Sequence, residues 1–240
     1  MFLAVDIGNS LIKFGVYRKR RLKELKFIRT CDFKKNPSIP DISEKNIEKI
    51  GIASVVPEVN DRIKEILKKR YKITPEIITY KNCKFPVKLK NPERTGIDRI
   101  LNCKAGYFLF GSPLIVVDMG TAVTIDFVSE KGEFAGGIII PGPKLWLSSL
   151  TETSLLPEVD FGMKTGLIGK DTEKSITSGL KYGLSSAING IVKIMMERYS
   201  VSKVVLTGGW ADKFRKNMDF PFFYKPNLTI YGISLFLNGI

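Results

Sequence analysis

The sequence predicts an α/β fold composed of two related domains, on the basis of an internal repeat and of alternating strands and helices. An apolar strand that ends in Asp-x-Gly opens the chain at 2–8, and a second strand follows it directly at 11–17. The same strand–turn–strand unit recurs at 114–128, so that Asp6 aligns with Asp118, 112 positions further along. Strand-like segments alternate with segments of helical period after each copy, as in α/β proteins. A repeat of this kind indicates two similar halves.

The elements of the first half follow from their apolar pattern. The basic run RKRR is a turn that leads to a strand at 25–30, and the apolar segment at 50–56 predicts another strand. Amphipathic spacing predicts a helix at 58–70, and a further helix is expected at 97–110. The intervening stretch at 80–95 is rich in Lys, Pro and Asn and shows no period, so we expect a loop there.

The second half continues beyond its own hairpin with the same kinds of element. We expect strands at 133–140 and 203–209, a long helix at 171–199, and shorter helical and strand pieces to the end. A Gly-Ser-Pro segment marks the boundary, which gives a first domain at 1–112 and a second at 113–240. The last helix is expected to return and pack near the first half.

Composition indicates a folded protein and narrows the chemistry. The chain has 240 residues, of which 44% are apolar and 26% charged, close to the averages for globular proteins. Histidine is absent, which excludes a Ser-His-Asp triad, a Cys-His pair and His-based metal ligation within the chain. Cys31, Cys83 and Cys103 lack CxxC spacing, so no zinc or thioredoxin-like site is expected. A general base must therefore be a carboxylate, Lys, Tyr or Cys.

The charge pattern bears on partners and location. The net charge of +14 comes from 38 Lys and Arg against 24 Asp and Glu, and the basic residues are scattered. Because neither a basic tail nor a nucleic-acid motif accompanies them, we interpret them as a solvated surface and expect no nucleic-acid partner. No basic leader precedes Asp6, and no apolar run approaches the roughly 20 residues that span a bilayer. We therefore expect a cytoplasmic protein without a membrane segment.

The two copies of the repeat are candidate phosphate-binding turns. In the first copy, Asp6 ends a strand, Gly8 permits close approach of a ligand to the backbone, and Lys13 adds a positive charge. Asp118 and Gly120 occupy the same positions in the second copy. One such turn alone is more often an ordinary Asx-type turn. Two of them across a cleft could grip a polyphosphate, with the carboxylates holding a cation or its water molecules.

Two further glycine motifs follow predicted strands. Gly208 and Gly209 end the strand at 203–209, where they could receive an adenine or a ribose. The alternative is a plain strand-to-helix turn, but this is the third predicted strand that ends in glycine, which favours a ligand. The motif from Gly136 to Gly142 is interpreted as a strand edge and a turn built around packing glycines.

The segment at 91–99 places two charged residues at the start of a predicted helix. Asp98 could accept a proton from a substrate hydroxyl, and Arg99 could bind an anionic group such as a carboxylate through two hydrogen bonds. The alternative is that Asp98 only stabilises the helix N-terminus. Spacing alone leaves both interpretations open.

Assembled in order, these motifs resemble the type III pantothenate kinases of the actin-like sugar-kinase superfamily. The resemblance runs along nearly the whole chain and rests on DIGNSLIK (6–13), NPERTGIDR (91–99), DMGTAVTIDF (118–127), GGIIIPG (136–142), DTEKSITSG (171–179) and TGGWA (207–211). It implies two related ribonuclease-H-like (actin-like ATPase) domains, each a mixed sheet with flanking helices. It also implies ATP-dependent phosphorylation of pantothenate to 4'-phosphopantothenate, the first step of coenzyme A biosynthesis.

The resemblance further implies a role for individual residues. Asp98 matches the catalytic base, and Asp118 matches the ligand of a monovalent cation, K⁺ or NH₄⁺. Asp6 is the carboxylate assigned to the Mg²⁺ that accompanies ATP. The residues implied in ATP binding are Asp6, Ile7, Gly8, Asn9, Ser10, Leu11, Ile12, Lys13 and Thr121. Those implied in pantothenate binding are Gly96, Ile97, Asp98, Arg99 and Thr172. Members of the family are homodimers, so a homodimer is expected.

Two positions depart from the family pattern. Ser10 stands where Thr is usual, which keeps the hydroxyl, and Leu89 stands where an aromatic residue, often Tyr, is common. Leu89 keeps open a kinase of the same fold that acts on another small alcohol. The charge of +14 keeps open a non-catalytic, nucleotide-responsive regulator.

Overall fold

Two five-stranded sheets, one in each of two units, form the framework of the computed structural model, which describes residues 1–152, 156–157 and 159–240. Unit 1 consists of Met1–Gly111, Gly132–Gly136 and Asn227–Ile240, and unit 2 consists of Ser112–Lys131 and Gly137–Pro226. The chain therefore returns to unit 1 for its last helix. The domain limits 1–112 and 113–240, with a functional role for each half, stay a prediction.

The sheet of unit 1 is mixed and has the order β3-β2-β1-β4-β5. Its strands are β1 (Phe2–Ile7), β2 (Leu11–Arg18), β3 (Arg21–Arg29), β4 (Lys49–Ser54) and β5 (Glu76–Ile77). The first three strands form antiparallel pairs, whereas β4 pairs with β1 and β5 in parallel. The central strand β1 is almost wholly buried, which explains its nearly continuous apolar run.

The sheet of unit 2 repeats this topology with the order β10-β9-β6-β7-β8. Its strands are β6 (Leu114–Met119), β7 (Ala122–Val128), β8 (Phe134–Pro141), β9 (Val204–Thr207) and β10 (Phe223–Tyr224). As in unit 1, the central strand forms an antiparallel hairpin on one side and a parallel pair on the other. The equal strand order confirms that the repeated sequence motif belongs to a repeated sheet, and the predicted α/β fold of two mixed sheets is confirmed.

Helices flank both sheets. They are α1 (Thr30–Lys35), α2 (Asn60–Tyr71), α3 (Ile97–Phe110), α4 (Pro143–Thr151), α5 (Thr172–Ser178), α6 (Leu184–Arg198), α7 (Ala211–Phe214) and α8 (Leu228–Leu237). The long helix predicted at 171–199 is present as α5 and α6, joined by the π-helical segment Gly179–Gly183. Within the described residues, no helix has the length and apolarity that crossing a bilayer requires. The cytoplasmic location stays a prediction.

Each unit has its own hydrophobic core. The core of unit 1 includes Leu3, Val5, Phe14, Phe33, Ile52, Ile63 and Leu67. The core of unit 2 includes Ile115, Val117, Ile125, Leu184, Ile188 and Val192. The central strand of each unit is part of that unit's core. Each Asp-x-Gly turn is therefore held at the end of a rigid strand.

Several predicted bounds differ from the structure. β3 begins at Arg21 rather than at 25, because its exposed edge carries charged residues that mask its period. Helices α1 and α4 lie in stretches for which no helix was predicted. The loop expected at 80–95 contains a short 3₁₀ turn at Pro92–Arg94.

Candidate active site

The end of β1 presents a largely buried carboxylate, 13% exposed, beside a lysine. Asp6 pairs with Lys13 across the β1–β2 hairpin, and the Lys13 Nζ lies 3.8 Å from the Asp6 Oδ2. Burial raises the pKa of Asp6 to about 6, although the Lys13 ammonium acts in the opposite direction. The charge of Asp98 also raises the pKa of Asp6, so these two carboxyl groups of unit 1 lie in each other's electric field. The structure therefore brings together two predicted site residues that are far apart in the chain.

The turn after Asp6 is closed by backbone hydrogen bonds. The Gly8 N–H donates to the Leu11 carbonyl at 3.0 Å, which leaves Asn9 and Ser10 at the tip. Thr30, the first residue of α1, supports this tip from below: its hydroxyl donates to the Gly8 carbonyl at 2.6 Å, and its N–H donates to the Ser10 carbonyl at 3.1 Å. The predicted phosphate loop is thus a well-defined turn rather than an open loop.

Asp98 occupies the first turn of α3, two residues after the N-cap residue Gly96. Its Oδ1 accepts the N–H of Arg99 at 2.8 Å, which orients the carboxylate. Burial raises the pKa of Asp98, and the hydrogen bond and charge of Arg99 offset that effect only in part. A carboxyl group with a raised pKa is a stronger base once ionised, which suits proton abstraction from an alcohol near neutral pH.

Arg99 and Leu89 lie next to the first residues of β8, which belong to unit 1. The Arg99 guanidinium lies over an aromatic face, with its central carbon 5.5 Å from the centre of the Phe134 ring. A β-carbon at Gly136 would lie 3.6 Å from the Leu89 side chain. The segment before the Asn-Pro motif is tied to the same strand, since the Lys88 N–H donates to the Phe134 carbonyl at 2.9 Å.

Gly96 leaves room for the Asp98 carboxylate, which leads to a prediction. A β-carbon at Gly96 would clash with the Asp98 Oδ1, whereas the Gly96 φ of −54° suits any residue. We therefore expect Gly96→Ala to displace the carboxylate and lower turnover by roughly 10- to 100-fold, with little change in melting temperature. Steady-state kinetics and thermal unfolding measure both effects. Gly190→Ala is the matched control, because nothing lies within 4 Å of that site. Unchanged turnover in Gly96→Ala would contradict a role for the Asp98 position.

The second hairpin places Asp118 at the end of the central strand of unit 2. Asp118 pairs with Thr124 on β7 and with Thr207 on β9. The turn is one residue tighter than in the first hairpin, because the Gly120 N–H donates to the Ala122 carbonyl at 3.0 Å and leaves Thr121 alone at the tip.

Glycines from two other motifs pack against this turn. A β-carbon at Gly208, whose φ is +100°, would lie 2.5 Å from the Asp118 Oδ1, and one at Gly142 would clash with the Thr121 carbonyl. The close packing at Gly142 is consistent with the interpretation of the motif from Gly136 to Gly142 as a turn built around packing glycines. The space beside Gly208 is filled by the protein itself, whereas nothing lies within 4 Å of a β-carbon at Gly209. If a nucleoside approaches the backbone of this motif, Gly209 is the residue with room for it.

Thr172 is a substrate-binding residue, and Asp6 and Asp118 are metal ligands, only by the family resemblance. Thr172 is an exposed residue in the first turn of α5, in unit 2. No group of three or more Asp, Glu, Cys or His residues among the described residues could hold a metal ion.

Two residues near the site carry no signal in the sequence. Thr30 follows a charged strand, and Phe134 is the first residue of β8, two positions before a pair of glycines. Their contacts with the turn at Gly8 and with Arg99 depend on chain segments that meet only in the folded unit. An internal repeat could not reveal them, because neither residue belongs to the repeated motif.

Solved structures share the overall fold of this chain. A Baf family protein from Campylobacter jejuni matches with a TM-score of 0.65 and 20% identity, over 99% of this chain and 98% of that chain. A ROK family glucokinase from Streptomyces griseus, solved with glucose and AMPPNP, matches with a TM-score of 0.51 and 10% identity, over 97% of both chains. The fold is therefore that of the actin-like ATPases and sugar kinases, as predicted.

Sequence relatives define the family within that class. The sequence model of the type III pantothenate kinase family matches residues 2–194 of this chain. The type III pantothenate kinase of Persephonella marina is 37% identical over 247 residues, which cover 97% of this chain and 96% of the relative. That of Sulfurihydrogenibium sp. is 34% identical, over 97% of this chain and 98% of the relative. The chain belongs to the type III pantothenate kinase family, and the predicted family and enzyme class, a kinase, are confirmed.

Proposed function

We propose that this chain transfers the γ-phosphoryl group of ATP to the primary hydroxyl of pantothenate and forms 4'-phosphopantothenate, with Asp98 as the general base. Family membership supports the reaction. The observation that carries the assignment of the base is the carboxylate of Asp98, which is oriented by the Arg99 N–H at 2.8 Å and has a pKa raised by burial.

The order of events follows from the residues. The alcohol oxygen attacks the γ-phosphorus, its proton passes to an oxygen of Asp98, and ADP leaves with the electron pair of the broken bond. Phosphoryl transfer depends chiefly on the positioning of the reactants and on stabilisation of the phosphate charge. A general base increases the rate by a further factor of roughly 100 to 10,000. Arg99, held over the Phe134 ring, binds the carboxylate of pantothenate, which keeps the hydroxyl at Asp98.

Each of the two Asp-x-Gly turns is assigned, by itself, to phosphate oxygens of ATP. The residues from Asp6 to Lys13 and Thr121 at the second tip supply backbone N–H groups, hydroxyls and an ammonium group, which suit phosphate oxygens. Asp6 would hold the Mg²⁺ that accompanies ATP, and Asp118 would hold a K⁺ or NH₄⁺ ion. Bound cations of this kind offset the negative charge of the phosphates. Thr172 contacts pantothenate in this assignment.

The raised pKa values lead to a prediction about pH. Asp6 and Asp98 act as carboxylates, so activity requires their ionised forms and is lost as the pH falls. We expect kcat/KM for ATP to decline below about pH 6 rather than near pH 4, because burial raises the pKa of Asp6 to about 6.

A variant separates this titration from that of ATP itself. Lys13 lowers the pKa of Asp6, so Lys13→Met is expected to move the acid limb to higher pH, while the ionisation of ATP is the same for both proteins. Rate profiles from pH 4.5 to 9 in each protein provide the comparison. An acid limb at the same pH in both would assign it to the nucleotide and contradict the role given to Asp6.

An apolar edge in unit 2 supports a homodimer. β8 is an edge strand of its sheet, and Ile138 and Ile139 on it are 38% and 60% exposed, with Leu145 on α4 at 45%. Natural edge strands usually carry charges that prevent pairing, and these positions carry none. A second copy of the chain would cover this edge. Sedimentation velocity at micromolar concentration tests the dimer, and a monomer at all concentrations contradicts it.

Leu89 favours a second candidate within the same class of reaction, a kinase for another small alcohol. The Leu89 side chain lies beside Gly136, and Arg99 packs over the Phe134 ring, two residues earlier on the same strand of unit 1. In this proposal Leu89 therefore contributes to the part of the site that binds the substrate. Phosphorylation assays with pantothenate and a panel of small hydroxy acids separate the two candidates. Faster turnover of another alcohol than of pantothenate would favour the second.

A further inference from the structure

Thr30 holds the turn at Gly8 by two hydrogen bonds. Its Oγ1 donates to the Gly8 carbonyl at 2.6 Å, and its backbone N–H donates to the Ser10 carbonyl at 3.1 Å. The second bond continues the β2–β3 ladder by one step, since Leu11 pairs with Arg29. The first bond comes from the side chain, so it depends on which residue occupies position 30.

These bonds determine which way the peptide groups of the turn face. A trans peptide is planar, and its N–H points away from its C=O. With the Gly8 carbonyl directed to Thr30, the N–H of Asn9 is directed to the opposite side of the turn. In the same way, the Ser10 carbonyl on Thr30 directs the N–H of Leu11 away from it. An N–H group that points out of a turn is a suitable donor to a phosphate oxygen.

Thr30 itself is rigidly placed. It is only 1% exposed, and α1 is anchored three residues later by Phe33, which is 2% exposed and belongs to the core of unit 1. A donor fixed in this way keeps the turn in one conformation before any ligand binds. Preorganised donors bind more tightly, because no conformational entropy is lost on binding.

We propose that Thr30 is a positioning residue for the phosphates of ATP, which acts through the Gly8 carbonyl and makes no contact with the nucleotide itself. The proposal rests on the proposed function, because it takes the turn from Asp6 to Lys13 as a phosphate loop. It adds a residue outside that loop on which the binding of phosphate depends.

Binding of three ligands to Thr30→Val, measured by calorimetry, tests the proposal. Valine keeps the shape of threonine but cannot donate to the Gly8 carbonyl. We expect ATP to bind about five- to tenfold more weakly, as for the loss of one hydrogen bond. Adenosine, which has no phosphate, and pantothenate should bind as in the unchanged protein. The KM for ATP should rise by a similar factor with a smaller change in kcat.

Two variants serve as controls. Thr30→Ser keeps the hydroxyl and should restore ATP binding to within about twofold of the unchanged protein. Thr79→Val removes a hydroxyl that donates to Asn82 at 3.2 Å, next to β5 at the opposite edge of the same sheet. That variant should bind all three ligands normally.

The outcomes are distinct. Equal weakening of ATP and adenosine, or failure of Thr30→Ser to restore binding, would reduce Thr30 to a structural residue and overturn the proposal. Unchanged ATP binding in Thr30→Val would overturn it as well. If the unchanged protein forms no phosphopantothenate but Thr30→Val still selectively loses ATP, the proposed reaction fails while the role of Thr30 stands.

Discussion

Asp98→Asn is expected to lower turnover by roughly 100- to 10,000-fold, because the variant lacks the carboxylate that accepts the proton of the attacking hydroxyl. The substitution changes the shape of the side chain very little. The new amide oxygen can still accept the N–H of Arg99, which the Asp98 Oδ1 accepts at 2.8 Å. The first turn of α3 should therefore persist, and the affinity for ATP should be retained.

Single-turnover rates and calorimetric titration with ATP measure the two parts of this prediction. Asp61→Asn is the matched control, because the Asp61 side chain on α2 is 95% exposed and should affect neither. Turnover of Asp98→Asn close to that of the unchanged protein would remove Asp98 from the role of base. Loss of ATP binding together with turnover would instead indicate a structural role for this carboxylate.

Asp6→Asn is expected to make the protein more stable while it loses activity. Burial raises the pKa of Asp6 from 3.8 to about 6, so the ionised form costs the folded state up to about 3 kcal/mol above pH 6. This cost is absent below about pH 4, grows as the pH rises from about 4 to about 6, and is constant above that. The neutral amide does not incur it. A ligand for Mg²⁺ and phosphate is lost at the same time, which lowers turnover.

Thermal unfolding at two pH values tests this trade-off. At pH 8 the melting temperature of Asp6→Asn should exceed that of the unchanged protein by about 5–10 °C, and at pH 4 the difference should nearly vanish. Asp61→Asn again provides the comparison, with no gain at either pH. A variant that is less stable at pH 8 would show that the Asp6–Lys13 pair stabilises the fold and would contradict the cost assigned to burial.

The elements that could be predicted from the sequence are those with a strong local pattern. The strand at β1 and the helix at α3, which spans Ile97–Phe110 as predicted, both have uninterrupted apolar or amphipathic spacing. Helix α1 has six residues and no side-chain cap, so its sequence lacks a start signal. Helix α4 does begin with Pro143, a usual first helical residue, but the preceding Pro-Gly pair favours a turn.

The candidate site divides in the same way. Asp6 and Asp98 were predicted from their own motifs, and the structure adds that their charges act on each other. The contacts of Thr30 with Gly8 and of Phe134 with Arg99 could not be predicted, because they join segments that are remote in the chain. Repetition of a motif reveals residues that both halves share. It does not reveal those that support one half alone.

The most direct test of the proposed function is the mass of the product. The protein is incubated with ATP, Mg²⁺ and pantothenate, with and without K⁺, and the mixture is analysed by mass spectrometry. The account predicts a species one phosphoryl group heavier than pantothenate, formed faster with K⁺ and nearly absent with Asp98→Asn. Absence of this species under every cation, from folded protein that binds ATP, would contradict it.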